Sequence, residues 1–230
     1  MERRTKKKKP AGRTAAGETL DGCCAGEGSG TVILANGAFP RKGGLPRRLL
    51  ESAARVVCCD GAADAYRKHT GKEPFAVVGD LDSVKGSFAN TVEIPSQETN
   101  DLEKAARWCR DNGLGTPVVV GAFGKREDHS IGNVFKALDL GLEIVSECGR
   151  FVPVEGTRRI RTWKGAPVSV FAPDPETRMS SSGLEWPLDG VRFRNIHCAV
   201  LNRATSDEAV FSANRRVSVF IGIEKRRSIV

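Results

Sequence analysis

The stretch "AVVGDLDSV" (residues 76–84) ends an apolar run at a glycine and then sets Asp80 and Asp82 one residue apart. In an extended segment two such side chains share a face. Carboxylates held that close raise each other's pKa unless a cation sits between them. Similar endings recur along the chain: Asp60 follows "RVVCC", Gln97, Asn100 and Asp101 follow "TVEI", and Gly121, Gly124, Arg126 and Asp128 follow "PVVV". Singly, each has a plain structural reading as a turn former or helix cap, and His129 reads as a packing residue. Together, four strand ends that each deliver a carboxylate exceed what caps require. The crowding calls for a divalent cation, and Mg²⁺ fits, because it takes oxygen ligands from one or two protein carboxylates together with substrate phosphates. Gly121 and Gly124 would let the backbone approach an anion that Arg126 neutralises. The chemistry implied is phosphoryl or nucleotidyl-type transfer. Neither GxxxxGK(S/T) nor GxGxxG occurs in the chain, which disfavours the common nucleotide-binding classes.

These residues need a scaffold that brings strand ends together. Strand-like runs at 31–35, 55–59, 75–78, 91–94, 117–123 and 142–147 alternate with helical spacing at 46–54, in the segment after "DGAAD" through Tyr66 and Lys68, at 101–113 and at 128–139. That alternation predicts an α/β domain with a doubly wound, mainly parallel sheet, whose ligands bind outside the carboxyl ends of the strands. From about residue 150 the texture changes to short alternating strands with frequent Gly and Pro: "RRIRTW", "PVSVFA", "VRFRNIHCAVLN" and "RVSVFIGI". This part suits a smaller antiparallel β-sandwich or roll. The organisation expected is a basic tail over 1–30, an α/β domain over 31–149 and a β-domain over 150–230.

Composition is that of an ordinary globular chain: 230 residues, 40% hydrophobic and 28% charged, with no run approaching a membrane span. The seven cysteines include no CxxC and no Cys/His ligand spacing, so they read as reduced thiols in a cytoplasmic protein. The net charge of +8 owes much to "RRTKKKK" in the tail. Without an aromatic residue for stacking, this tail reads as a solubilising, disordered extension rather than a specific nucleic-acid binder.

The ordered set "LANG" (34–37), "DGAAD" (60–64), "GDLDS" (79–83), "QETNDLEKA" (97–105), "GAFGKREDHSIGN" (121–133), "SGLEWPLDG" (182–190) and "ATSDEA" (204–209) resembles the thiamin pyrophosphokinase (thiamin diphosphokinase) family. Ala62 stands where the pattern has a second glycine, Asn100 where it has threonine, and Asp207 where it has asparagine. The resemblance implies transfer of pyrophosphate from Mg-ATP to the thiamin hydroxyl, giving thiamin diphosphate and AMP, by a homodimer with active sites between subunits. It implies metal ligation by Asp80, Asp82 and Asp101. Asp60 and Asp128 would complete the acidic rim, one of them able to help deprotonate the hydroxyl. Phosphate contacts would come from Asp60, Gln97, Asn100, Lys104, Gly121, Gly124 and Arg126, and thiamin contacts from Trp186, Ser206 and Asp207. Trp186 reads equally as a core residue of the β-domain. The alternatives are a Mg-dependent kinase or nucleotidyltransferase for another small alcohol, and a non-catalytic thiamin-binding relative.

Overall fold

The computed structural model describes residues 30–223; the basic tail expected over 1–30 lies, but for Gly30, outside the described residues, as do 224–230. The first half alternates as the periodicity predicts: β1 (Thr31–Leu34), α1 (Leu45–Ser52), β2 (Arg55–Cys59), α2 (Ala62–Thr70), β3 (Ala76–Gly79), β4 (Thr91–Glu93), α3 (Asp101–Asp111), β5 (Val118–Val120), α4 (Glu127–Leu140) and β6 (Ile144–Val145). The second half is β7 (Gly149–Arg161), β8 (Pro167–Phe171), β9 (Met179–Ser182), β10 (Ala199–Arg203) and β11 (Glu208–Gly222).

The parallel strands run in the order β4-β3-β2-β1-β5-β6. Except for the short, exposed edge strand β4, these strands are largely apolar with both faces covered, as a doubly wound sheet requires. Ile33, Val57, Cys59, Val78 and Val119 face Leu102, Ala105 and Cys109 of α3 and Ala137 of α4. The alternate residues Val32, Leu34, Val56, Cys58 and Val77 face Leu45 and Leu50 of α1 and Ala63 and Tyr66 of α2. Strand order reverses between β1, which leads outward to β2, and β5, which leads the other way. Such a switch point leaves a crevice at the carboxyl ends of the two strands.

The antiparallel half is continuous with this sheet, since β6 pairs with β7. A buried ion pair marks the seam: Arg150 Nε lies 2.5 Å from Glu143 Oε1, and both side chains are buried. The long β7 and β11 pair along most of their lengths, with a register shift between Ala213 and Val217. On the other edge of β11, Ser218–Ile221 pair with β8 and Val210–Ala213 with β9. The irregularity bends the ribbon, so that Val152, Ile160, Val168, Phe211 and Val219 enclose a second core with Phe193.

Two details differ from the sequence reading. Only Ala199–Arg203 of the expected strand "VRFRNIHCAVLN" is a strand; the part before it is spent in turns closed by Val191 N–H to Leu188 O, Arg194 N–H to Arg192 O and Cys198 N–H to Asn195 O. Strand β9, "MSSS", carries no apolar alternation and is formed by its pairing with β11. Among the described residues no helix is long and apolar enough to cross a membrane.

Candidate active site

Because β2 and β3 are adjacent and parallel, Asp60 and Asp80 leave the sheet at the same edge, where Asp101 opens α3. Asp60, Asp80 and Asp101 each offer an oxygen, and these lie within 4.8 Å of one another. Gly79 permits the approach: a Cβ there would stand 2.9 Å from the Asp60 Cβ and 3.4 Å from Asp101 Oδ1. Asp60 has φ 44 and Leu81 φ 63, left-handed conformations that cost about 1–3 kcal/mol each in non-glycine residues and persist where surroundings impose them.

The three carboxylates sit in unequal settings. Asp60 is 2% exposed, and its Oδ1 has no hydrogen-bond partner. Burial pushes its pKa above the ordinary value; a Ser83 hydrogen bond opposes that rise and the Asp101 charge adds to it. Asp80 is held below the ordinary range, first by the Gln97 amide, which donates to its Oδ2 at 3.2 Å, and also by the Lys104 charge. The Lys104 ammonium, 3% exposed, lies 3.1 Å from Asp101 Oδ1 and 3.9 Å from Asp80 Oδ2. A buried, unpaired carboxylate oxygen is unfavourable by itself. Beside two further carboxylates, it makes a donor set suited to a hard divalent cation.

Asp82 is not one of these three, but it stays beside Asp80 as expected: its backbone N–H donates to Asp80 Oδ1 at 3.5 Å, and hydrogen bonding to Asp82 helps hold the Asp80 pKa down. The positive φ of Leu81 breaks the extended path on which the shared-face argument rested. Asp82 accepts from the Ser83 hydroxyl at 2.9 Å, and Asp60, expected in the acidic rim and at the phosphates, is the third member of the close cluster. The Asp82 charge still raises the Asp60 pKa.

The other expected residues arrange as follows. Asn100 N-caps α3, accepting from Glu103 N–H at 3.0 Å, a task either asparagine or threonine performs. Gly121 and Gly124 have φ 68 and 90. Their loop is stitched to the β1 loop by Gly37 N–H to Gly121 O (2.7 Å) and Ala38 N–H to Phe123 O (2.6 Å), and a Cβ on Gly37 would collide with Gly121 O. Arg126 grips both oxygens of Asp128 at 3.1 and 2.6 Å, which pulls the Asp128 pKa down to about 2. A carboxylate so held positions the guanidinium and is a poor proton acceptor.

In the β-domain, Gly183 O accepts from Thr205 N–H, and Arg203 O from Glu185 N–H. These bonds bring the Trp186 loop beside the turn carrying Ser206 and Asp207. Trp186 is 53% exposed, so it is not a core residue. The Asn202 side chain bonds its backbone N–H and C=O. Ser206 donates to Glu208 O at 2.7 Å, and Asp207 O accepts from Thr162 N–H.

Three participants escaped the candidate set. Asn36 accepts from Lys125 Nζ at 2.8 Å across the switch point. Asp64 accepts the backbone N–H groups of Lys85 and Gly86, tying the loop after β3 to α2. For Asn36 the signal was available in the Asn-Gly pair that ends β1; for Lys125 it was masked by the arginine beside it.

An acidic cluster with a buried, unsatisfied oxygen, set next to a glycine-rich loop at the switch point of an α/β sheet, is the architecture of an enzyme that handles metal-bound phosphates. Known proteins narrow the class. Residues 46–145 match the family description "Thiamin pyrophosphokinase, catalytic domain", and residues 149–220 match "Thiamin pyrophosphokinase, substrate-binding domain". The chain belongs to the thiamin pyrophosphokinase family, whose members are enzymes, and it carries both domains. Among curated proteins it is similar to Thiamin pyrophosphokinase 1 of Caenorhabditis elegans, 29% identical over half of each chain. It is also similar to Thiamine pyrophosphokinase 1 of Oryza sativa subsp. japonica, 26% identical over 69% of this chain and 73% of the relative. The fold is shared with thiamine pyrophosphokinase from Bacillus subtilis (TM-score 0.65, 18% identity, 84% of this chain and 98% of that one). It is shared too with the yeast enzyme (TM-score 0.66, 13% identity, 84% and 86%).

Proposed function

We propose that this chain moves the pyrophosphoryl group of Mg-ATP to the hydroxyethyl oxygen of thiamin, releasing thiamin diphosphate and AMP. The observation that carries this reading is the Asp60–Asp80–Asp101 cluster with its unpartnered, buried Asp60 oxygen. These three residues would hold Mg²⁺, which when bound engages phosphate oxygens and offsets the charge that builds in the transition state. Lys104 helps keep Asp80 ionised and holds Asp80 and Asp101 close. Gln97, through its donor amide, fixes the Asp80 side chain and stands ready at a phosphate oxygen. Arg126, aimed by Asp128, and the backbone of Gly121–Gly124 bind the remaining phosphate oxygens. The transfer forms a bond from the thiamin oxygen to the β-phosphorus and breaks the bond from that phosphorus to the α–β bridging oxygen, which leaves with AMP. Positioning and fixed charges supply most of the acceleration in such chemistry.

For thiamin, Trp186 offers an exposed aromatic face to the cationic thiazolium, with Ser206 and Asp207 beside it. Within one chain the strand order puts six strand steps between β3 and β11, about 29 Å at the usual spacing of about 4.8 Å. A homodimer in which the Trp186 loop of one copy completes the acidic rim of another resolves that separation. Exposed apolar residues on this side, Trp186 and Leu201 (84% exposed), suit such a contact. A cytoplasmic location accords with the unpaired thiols of Cys58, Cys59 and Cys109.

The test is a product analysis with thiamin, ATP and Mg²⁺. Thiamin diphosphate and AMP in equal amounts, abolished by chelation, are expected. ADP with thiamin monophosphate would replace this reading with that of an ordinary kinase, and turnover of other alcohols only would replace the substrate.

A further inference from the structure

Resting on the reading above that ATP is the donor, we propose that Lys125 is a nucleotide-selective phosphate-binding residue, held ready for the triphosphate by Asn36. Of the cations that the motif loops bring to the rim, Lys104 is already shared between Asp80 and Asp101, and Arg126 is engaged by both oxygens of Asp128. Lys125 is different. The residue is exposed, and its ammonium donates at 2.8 Å to the uncharged Asn36 amide oxygen. An ammonium that no carboxylate neutralises retains its full attraction for an anion, and an amide releases it at little cost.

Its placement is equally specific. Asn36 ends the β1 segment and Lys125 lies in the β5 loop, so the bond between them crosses the crevice where the strand order reverses. The other face of the Asn36 amide looks toward the acidic cluster: its Nδ2 lies 3.2 Å from where a Gly61 Cβ would stand, and Gly61 is the residue after Asp60. Lys125 is thus one side chain removed from the proposed metal ligands. The Gly37 and Ala38 backbone bonds to Gly121 and Phe123 hold its loop, so little ordering is left for the ligand to impose. The anion such a residue recognises is an extended polyphosphate whose metal-bound oxygens lie at the carboxylates and whose next phosphate reaches the ammonium.

The experiment measures binding without turnover, by calorimetry, with Mg²⁺ and an ATP analogue carrying a methylene bridge between the α- and β-phosphates. Lys125→Met is expected to weaken the analogue about tenfold, the scale of one charge-assisted hydrogen bond near the surface. Thiamin affinity and the melting temperature should hold, and Lys125→Arg should restore most of the loss. AMP, too short to span the site, should lose less than threefold. Equal analogue affinity for wild type and Lys125→Met, with wild type binding normally, overturns the role of Lys125 and leaves the proposed activity standing. An equal loss for AMP and the analogue also overturns it. Failure of the wild type to bind the analogue overturns both.

Discussion

Asp60 is the residue at which stability and activity pull in opposite directions, and Asp60→Asn separates them. The substitution suits the backbone, because Asn tolerates the positive φ of 44 that Asp60 adopts. It replaces a buried carboxylate whose Oδ1 has no partner by an amide able to donate to the Asp80 or Asp101 oxygens, all within 4.8 Å of one another. An unsatisfied buried group costs about 1–3 kcal/mol. The metal-free variant should therefore be more stable than wild type by about that amount, or about 2–4 °C in Tm per kcal/mol for a chain of this size. The pH dependence follows from the direction of the shift. The folded-state pKa of Asp60 is raised, so the folded state binds the proton more tightly than the unfolded one. Metal-free wild type should lose stability as pH climbs from the ordinary Asp value through the raised one, and the variant should lack that component. Mg²⁺ at a hundred times its Kd should then stabilise wild type by about 2.7 kcal/mol and the variant far less. Thermal melts in chelator and in Mg²⁺ across the pH range read all three effects, and AMP formation reads activity, which should fall by orders of magnitude. A variant less stable than wild type in chelator, yet equally stabilised by Mg²⁺, would refute the reasoning.

Further predictions rest on other parts of the molecule. Gly79→Ala places a methyl 2.9 Å from the Asp60 Cβ; an overpacking loss of about 1–3 kcal/mol is expected, with the Mg²⁺ half-saturation of AMP formation raised roughly tenfold on the same free-energy scale. An unchanged metal requirement would count against the cluster. Glu143→Gln removes the charge from one side of the buried Glu143–Arg150 pair and should cost up to about 3–5 kcal/mol in urea denaturation, while kcat per folded molecule holds; a large fall in kcat would show that the seam also shapes the site. Trp186→Ala should raise the KM for thiamin by several-fold to tens of fold, on the scale of about 1–2 kcal/mol for a cation over an indole, and leave the KM for ATP nearly unchanged. Equal effects on both would place Trp186 away from thiamin.

The parallel half of the fold was legible because its strands are buried on both faces: "TVIL", "RVVCC" and "AVVG" are unbroken apolar runs that only a covered sheet accommodates. Strand β9 was not, since three serines beside a methionine reveal nothing until β11 pairs with them. The segment before β10 misled in the other direction, because Val191 and Phe193 are apolar for the sake of the core rather than of a strand. At the site, which loops converge was readable from strand ends. Which three carboxylates draw closest together was not, as it turns on backbone detail: at φ 63, Leu81 breaks the extended path from Asp80 to Asp82, and Gly79 lets Asp60 approach Asp101. Lys125 depends on a contact between residues 89 apart, which no local pattern encodes.

The most direct measurement locates the ion itself. Crystals grown with Mn²⁺ in place of Mg²⁺, together with the methylene-bridged ATP analogue, should give an anomalous peak among the Asp60, Asp80 and Asp101 carboxylates. Manganese bound at Asp82 and Asp128 instead, or no peak at the three carboxylates with the analogue in place, would contradict the account.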